Sequence, residues 1–451
     1  MDNLAKIHQN LKIFMQWFNT GTPQSTYIDF DDFFRSEKMM NFFGFRNLPR
    51  EAPLNRGRER QAFFTMSMII SLVFLGINVI SIIHGLTHHG SFLIIIEDVA
   101  IVCIEGLVLI KGFTVMYWRR EKFMDIVAKL KPHFPHNAWD QQVFMVSNHL
   151  ETLTTCGTIG AVFYKSVLIE FTSVPLLLMF YGLVWTNEAR FELIIQLQLP
   201  VDTTAPIPYI VLYFINSWAF IVGTFTVLIT DLLFAELVAV INLELNILAQ
   251  IMSELDPAKN QDEAIDELKK LAAVHQELID LSENLKDILS PLLASLSVAE
   301  GAYNCNWLSG NTKFRQMILI IIVRARKAQE LTGMGFVNVN LETYQWSRVS
   351  YLYLFKYILA LLVTMWNSFI HCFYGSRLND ASLSVAEGAY NCNWLSGNTK
   401  FRQMILIIMV RARKAQELTG MGFVNVNLET YKWIIDASFS YYSVLAALYK
   451  T

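Results

Sequence analysis

The residues able to do chemistry in this chain are ionisable side chains set inside long apolar runs. Asp98 and Glu105 stand one heptad apart in one run, Lys165 and Glu170 interrupt another, and Asp436 lies in the last. A charge in hydrocarbon is costly, so such residues face a cavity, a water-filled path or a partner group. The last run is the most pointed. Asp436 shares it with Ser440, Tyr441, Tyr442 and Ser443, and with Ile434, Ile435 and Phe439. A carboxylate and hydroxyls mixed with apolar residues suit a helix that touches water and lines an ion path. For Glu105 a structural, hydrogen-bonded role stays open beside a functional one, and for Asp436 so does a bond between subunits. Enzyme chemistry has no such footing. HExxH, GxSxG, GxxxxGKS/T and CxxC are all missing from the sequence. His88-His89 has no acidic or Cys neighbours at ligand spacing, and the 5 Cys form no pattern. The chain is therefore read as a non-enzyme with no cofactor or metal.

The elements that must hold these residues are membrane spans. Of 451 residues 53% are hydrophobic and only 17% charged, against about 25% charged in an average protein. A net charge of −3 argues against a nucleic-acid binder. No signal peptide is read at the N-terminus. Runs long enough to cross a bilayer occur at Ala62 to Ile83, Phe92 to Trp118, Thr154 to Trp185 with a kink expected at Pro175, and Tyr209 to about Leu233. The fourth is expected to continue as a helix through Asp231 and Glu236 to about Met252. Two more lie at Leu352 to Phe373 and at Tyr431 to Leu448. Aromatic and Met residues crowd spans two to four (Met116, Phe163, Tyr164, Phe171, Met179, Phe180, Tyr213, Phe214, Trp218, Phe220). Most suit lipid or bundle packing, and a subset could line an apolar pocket for a small volatile ligand.

Arg46, Arg50, Arg56, Arg58 and Arg60 precede the first span, and Arg119, Arg120, Lys122, Lys129 and Lys131 follow the second. The loops after spans one and three are nearly free of basic residues, so the N-terminus is placed in the cytoplasm. Between spans four and six, Leu271, Val274, Leu278, Leu281, Leu285 and Ile288 alternate spacings of three and four. This seam fits either packing on the chain's own bundle or a contact with another subunit.

One stretch occurs twice. Ala294 to Trp346 recurs at Ala381 to Trp433, and only Ile322/Met409 and Gln345/Lys432 differ. Because even residues suited to the surface are copied, a recent tandem duplication or a merged gene model explains it better than a stacking repeat. The organisation read from the chain is a cytoplasmic N-terminal region (1–61), spans one to four (62–252), a cytoplasmic helix (253–293), copy one (294–346), the span-six region (347–380), and copy two with its cytoplasmic helix and pore-type span (381–451).

Three stretches carry a family resemblance. CFYGSRLNDASLSVAEGAYNCNW, Cys372 to Trp394, resembles the end of span six and the loop beyond it in insect odorant receptors. Arg411 to Leu445 resembles their cytoplasmic helix and final span, and Leu197 to Phe214 their second outer loop entering span four. Ser438-Phe439 stands where gustatory receptors have Gln-Phe after Thr-Tyr, which favours the odorant branch.

The resemblance implies an all-α, polytopic membrane bundle of seven helices with the N-terminus inside. It implies an odorant-gated, non-selective cation channel subunit in the plasma membrane, in a hetero-tetramer with a shared odorant coreceptor. The pore would be lined from Ile434, Ile435, Asp436 and Phe439. A volatile ligand would sit in the outer half among Cys103, Phe163, Tyr164, Phe214 and Trp218. Leu271, Val274, Leu278 and Leu281 would meet other subunits. Against the family pattern, copy one stands where span five should follow Ser290-Pro291. The other readings are a gustatory-type channel, a G-protein-coupled receptor or transporter, and a non-functional product of the duplication.

Copy one offers only Phe336 to Phe355 as a crossing, and Glu342 and Arg348 lie inside it. A central Arg costs about 2.5–3.5 kcal/mol on the insertion scale. Copy one is thus expected to stay cytoplasmic or misfold. An acceptor engineered near Ser396 that escapes glycosylation in a chain delivered to the surface would show instead that it crosses.

Overall fold

The computed structural model describes residues 27–34, 36, 54–88, 92–186, 193, 195, 197–203, 205–289, 348–420 and 424–449. Copy one, Arg46 and Arg50, and the side chains of Arg56, Arg58, Arg60 and Phe439 lie outside what is described. The six spans read from the sequence coincide with six helices: α1 (Leu54–Thr87), α2 (Phe92–Phe113), α5 (Val146–Tyr181), α6 (Pro206–Ser253), α8 (Arg348–Asn391) and α10 (Leu428–Tyr449). Among the described residues the remaining α-helices are α3 (Arg120–Leu130), α4 (Ala138–Val143), α7 (Gln261–Leu289) and α9 (Thr399–Ala412). Thr419–Gly420 and Val424–Asn425 form a two-residue antiparallel hairpin, β1 and β2. Among the described residues, α1, α5, α6 and α8 are long and apolar enough to cross a membrane.

The membrane helices turn apolar residues outward and small polar ones inward. On α1, Met66, Ile69, Leu72, Val73, Ile80 and Ile83 are exposed, while Ser67, Ser71, Phe74, Asn78 and Ser81 are buried. Both stripes follow helical spacing. Lipid tails accept the first, and the small residues of the second let helices approach. α5 continues through Pro175 as one helix. The Tyr213 hydroxyl donates to the Thr172 carbonyl at 2.7 Å, inside the turn that a proline disturbs.

At one end of the bundle the chain builds a second, water-side core. α6 runs on to Ser253 with Leu233 to Leu245 buried throughout. Around it pack Phe30, Phe33 and Phe34 of the N-terminal segment, Ile126 and Leu130 of α3, Leu278, Leu281, Leu285 and Ile288 of α7, Val385 and Ala389 of α8, and Phe401, Ile405 and Ile408 of α9. Ser36 N–H donates to Glu236 Oε1 at 2.8 Å and ties the N-terminal segment to α6.

Three sequence expectations change here. The seam of α7 faces inward: Leu278 and Leu281 are 0% and 2% exposed, and Leu271 and Val274 pack half-buried on the same core. Apolar side chains spent on the chain's own interior leave nothing at Leu278 and Leu281 for another subunit. Second, the boundary at 380/381 falls inside α8, which carries copy two's opening residues as a continuation of span six. No proline interrupts this stretch. At Gly388 the helix meets α6 so closely that a Cβ would lie 2.2 Å from the Ala249 carbonyl oxygen. Third, the helix of copy two precedes Arg413, because α9 ends at Ala412 and the chain then turns into the hairpin.

His275 of α7 sits inside this core at 4% exposure. Burial, and then the Arg411 charge, depress its pKa from 6.5 to about 4. The unfolded chain takes up this proton near 6.5 and the folded chain only near 4. Stability is therefore full above pH 6.5 and declines as pH falls towards 4. Thermal unfolding of the detergent-solubilised protein should show that loss, and His275→Asn should flatten it over the same range.

Candidate functional site

The membrane half is joined at one buried carboxylate. Asp231 of α6 pairs with Lys111 Nζ of α2 at 2.7 Å, both side chains below a tenth exposed. Tyr164 of α5 donates its hydroxyl to Asp231 Oδ2 at 2.9 Å. Asn367 of α8 donates to the same oxygen and to the Tyr164 hydroxyl at 2.9 Å. His371 Nε2 lies 3.5 Å from Asp231 Oδ1, and its Nδ1 is 2.7 Å from the Asn367 carbonyl. One side chain thus holds α2, α5, α6 and α8 together. Removing one partner of a buried pair strands the other charge and costs about 3–5 kcal/mol. In the sequence Asp231 passed as part of a helix leaving the bilayer. Lys111 near the end of span two was the available signal, but nothing local links two residues so far apart.

Beside this cluster a small cavity of about 20 Å³, room for one water, is lined by Gly157, Gly160, Tyr164, Asp231, Trp366 and Ile370 among others. Gly160 is required by the neighbour: a Cβ there would meet Trp366 Nε1 at 2.7 Å. Phe163 also packs on Trp366, ring centroids 5.8 Å apart. The remaining space between helices is filled by aromatic rings nearer the far end of the bundle. Phe171 and Phe220 stack at 4.2 Å, Phe74 meets Phe220 edge-on at 6.1 Å, and Tyr209 stacks with Tyr213 at 6.1 Å. Leu193, Ile195, Leu197 and Leu199 of the loop after α5 close over these rings. Gln198 N–H donates to Ser81 Oγ at 2.7 Å and fastens that loop to α1.

The residues read as ligand contacts do not converge. Phe163 and Tyr164 reach the region between α5, α6 and α8, but Tyr164 is committed to Asp231. Phe214 is 64% exposed and points away from the bundle, with Trp218 stacked against it at 6.3 Å. Cys103 is half-buried on α2. On one helix, side chains separated by about half a turn face opposite ways, and that rule sorts Phe214 from Leu212, which is buried. Phe171, Phe220 and Tyr213, noted in the sequence as part of an undivided aromatic set, are the ones brought together. Of the intramembrane carboxylates, Asp98 accepts from Ser81, and Glu105 and Glu170 are buried.

In α10 the residues read as pore lining part company. Asn427 caps the helix, its side chain accepting from Thr430 N–H at 2.8 Å. Ile434 is 7% exposed and belongs to the water-side core. Glu429, Lys432 and Asp436 are exposed, and Ile435 is half-exposed. Ile434 and Asp436 lie about 200° apart around the helix, so one helix face cannot offer both to the same pathway. The charged face is turned away from the rest of the chain.

A family model described as 7tm odorant receptor matches residues 91–295, 292–351 and 347–439. Each copy of the duplicated stretch lies within its own match. Odorant receptor 49a of Drosophila melanogaster is 21% identical over 332 residues, 72% of this chain and 74% of that protein. The odorant receptor coreceptor of Ooceraea biroi is 30% identical over 114 residues, 25% of this chain and 24% of its own length. The solved structure of insect olfactory receptor OR5 from Machilis hrabei in complex with eugenol superposes with a TM-score of 0.69 at 16% identity, covering 92% of this chain and 97% of that one. At that identity the likeness is one of fold.

The split across α10 sets a test. Asp436→Asn should change cation permeability or rectification at normal surface levels. Ile434→Ala should act through folding, lowering stability by about 2–5 kcal/mol as large-to-small core changes do, with unchanged permeation in the molecules that reach the surface. Surface biotinylation alongside current–voltage recording separates the two effects.

Proposed function

The chain belongs to the odorant receptor family, and from that premise we propose that it is an odorant-gated, non-selective cation channel subunit of the plasma membrane. It works in a hetero-tetramer with the odorant coreceptor, with its N-terminus in the cytoplasm. The observation that carries this reading is the face of α10 that the chain leaves uncovered. Glu429 and Lys432 stand in its first turns beside the water-side core, and Asp436 stays exposed on the same face where the helix runs on past Ile434. Charged side chains in such a place need water or a partner. A central path shared by several subunits supplies water. The proposed lining is Ile435 and Asp436, with Phe439 one turn further on and Ile434 omitted.

A second uncovered surface supports assembly. Leu406, Ile407 and Val410 of α9 are 60%, 68% and 64% exposed on a helix whose other face is core. Apolar patches of this kind mark protein contacts. The proposed subunit contact is therefore α9 rather than the seam of α7. The N-terminal segment packs in the same core as α3 and α7, and the basic residues Arg119, Lys122, Lys129 and Lys131 lie at that end, which supports a cytoplasmic N-terminus. The aromatic cluster of Phe74, Phe171, Phe220, Tyr209 and Tyr213 is the proposed odorant site. A small aromatic volatile would replace ring-on-ring packing there, and the solved relative carries eugenol.

Cells expressing this chain with a coreceptor and exposed to a panel of volatiles that includes eugenol should show odorant-evoked cation currents. A tag at residue 1 should be reachable only after permeabilisation, and Ile407→Asp should reduce recovery of the coreceptor in pull-downs. A tag reachable on intact cells, or odorant responses that vanish on blocking G-protein signalling, would refute the channel reading.

A further inference from the structure

Resting on the channel reading above, we propose that the Asp231 cluster and the aromatic ladder Phe163–Trp366–Phe369–Tyr431 form the joint that positions α10, with Lys111, Asp231 and Phe369 as positioning residues for gating. The geometry places this joint between the two ends of the molecule. Phe171 of the outer aromatic cluster lies two turns along α5 from Tyr164, and Phe220 lies about 17 Å along α6 from Asp231 at about 1.5 Å per residue. A ligand that spreads those rings must shift α5 or α6, and both helices are bonded at Asp231.

On the other side the path to α10 is short and runs through α8. Trp366 and Phe369 have ring centroids 5.5 Å apart, and Phe369 meets Tyr431 of α10 edge-on at 5.6 Å. Asn367 and His371, which bond at Asp231, alternate along α8 with Trp366 and Phe369, which carry the ladder. One turn beyond His371, Ser376 Oγ accepts from Leu428 N–H at 2.8 Å, the first residue of α10. Gly375 has no room for a Cβ against the Val426 carbonyl. A rotation or slide of α8 is therefore handed to α10 without slack.

A merely structural cluster would hold the helices in place and do nothing more. Four forms of the full chain distinguish the two roles: wild type, Asp231→Asn, Lys111→Met with Asp231→Asn, and Phe369→Leu. Each is co-expressed with a coreceptor for odorant concentration–response curves, and each is purified in lipid nanodiscs for hydrogen–deuterium exchange. Asp231→Asn alone strands the lysine and should cut surface delivery. The double variant removes both charges and should regain surface delivery, yet its half-maximal odorant concentration should move ten-fold or more. Phe369→Leu leaves the cluster intact and should move it in the same way. In both, exchange should rise in Thr399–Ala412 and in the first turns of α10, far from the double substitution. Wild-type responses and wild-type exchange in the double variant and in Phe369→Leu, at normal surface levels, would overturn the joint. If the wild type itself gives no current, exchange alone decides: raised exchange keeps the joint while the channel reading falls, and unchanged exchange ends both.

Discussion

The desolvated carboxylate of Asp231 constrains this molecule more than any other single group. Taking a charge out of water costs several kcal/mol even after relaxation. Here that cost is offset only when Lys111, Tyr164 and Asn367 converge on it. These partners come from three other helices, so their lateral positions and rotations are mutually specified. Apolar contacts between membrane helices have no such selectivity, because lipid tails are equally acceptable neighbours. The cluster thus supplies specificity where hydrophobic packing supplies little.

From that point the two ends of the chain obey different rules. Towards the loop after α5, rings fill the space between helices, and that loop, fastened through Gln198 and Ser81, closes over them. In the proposed reading, a flat apolar guest would take the place of this ring-on-ring packing. Towards the other end, α6 leaves the bundle and becomes the centre of an ordinary water-side core, with buried residues of the N-terminal segment, α3, α5, α7, α8, α9 and α10 around it. Here burial is driven by water, and close approach matters: at Gly388 and Gly375 backbone meets backbone where any larger residue would collide. The surfaces left over are the charged face of α10 and the apolar face of α9, and an assembly of several subunits would use both.

Much of the architecture was legible because the bilayer imposes length and composition directly on the chain. Six spans, the long extension of α6 and the water-side helix α7 all follow from apolar runs and helical spacing. The seam of α7 was legible as a seam, yet its spacing has the same appearance whether the partner is a neighbouring subunit or the chain's own α6. The residues of the proposed ligand site were the least legible part. An aromatic side chain facing lipid and one facing a pocket satisfy the same apolar requirement, so Phe214 and Phe220 look alike in one dimension. They differ only in rotation about α6, where one is 64% exposed and the other stacks on Phe171.

What the sequence determined by itself was the set of segments that avoid water, their approximate ends and the presence of charges that need explaining, since transfer energies are properties of individual residues. The tertiary structure alone decided which charge meets which. Lys111 and Asp231 are 120 positions apart, and their pairing depends on how α2 and α6 are turned against each other. It also decided that Ile434 belongs to the core while Asp436 does not. That division follows from where the neighbouring helices stand around α10, and no residue carries this information in its own side chain.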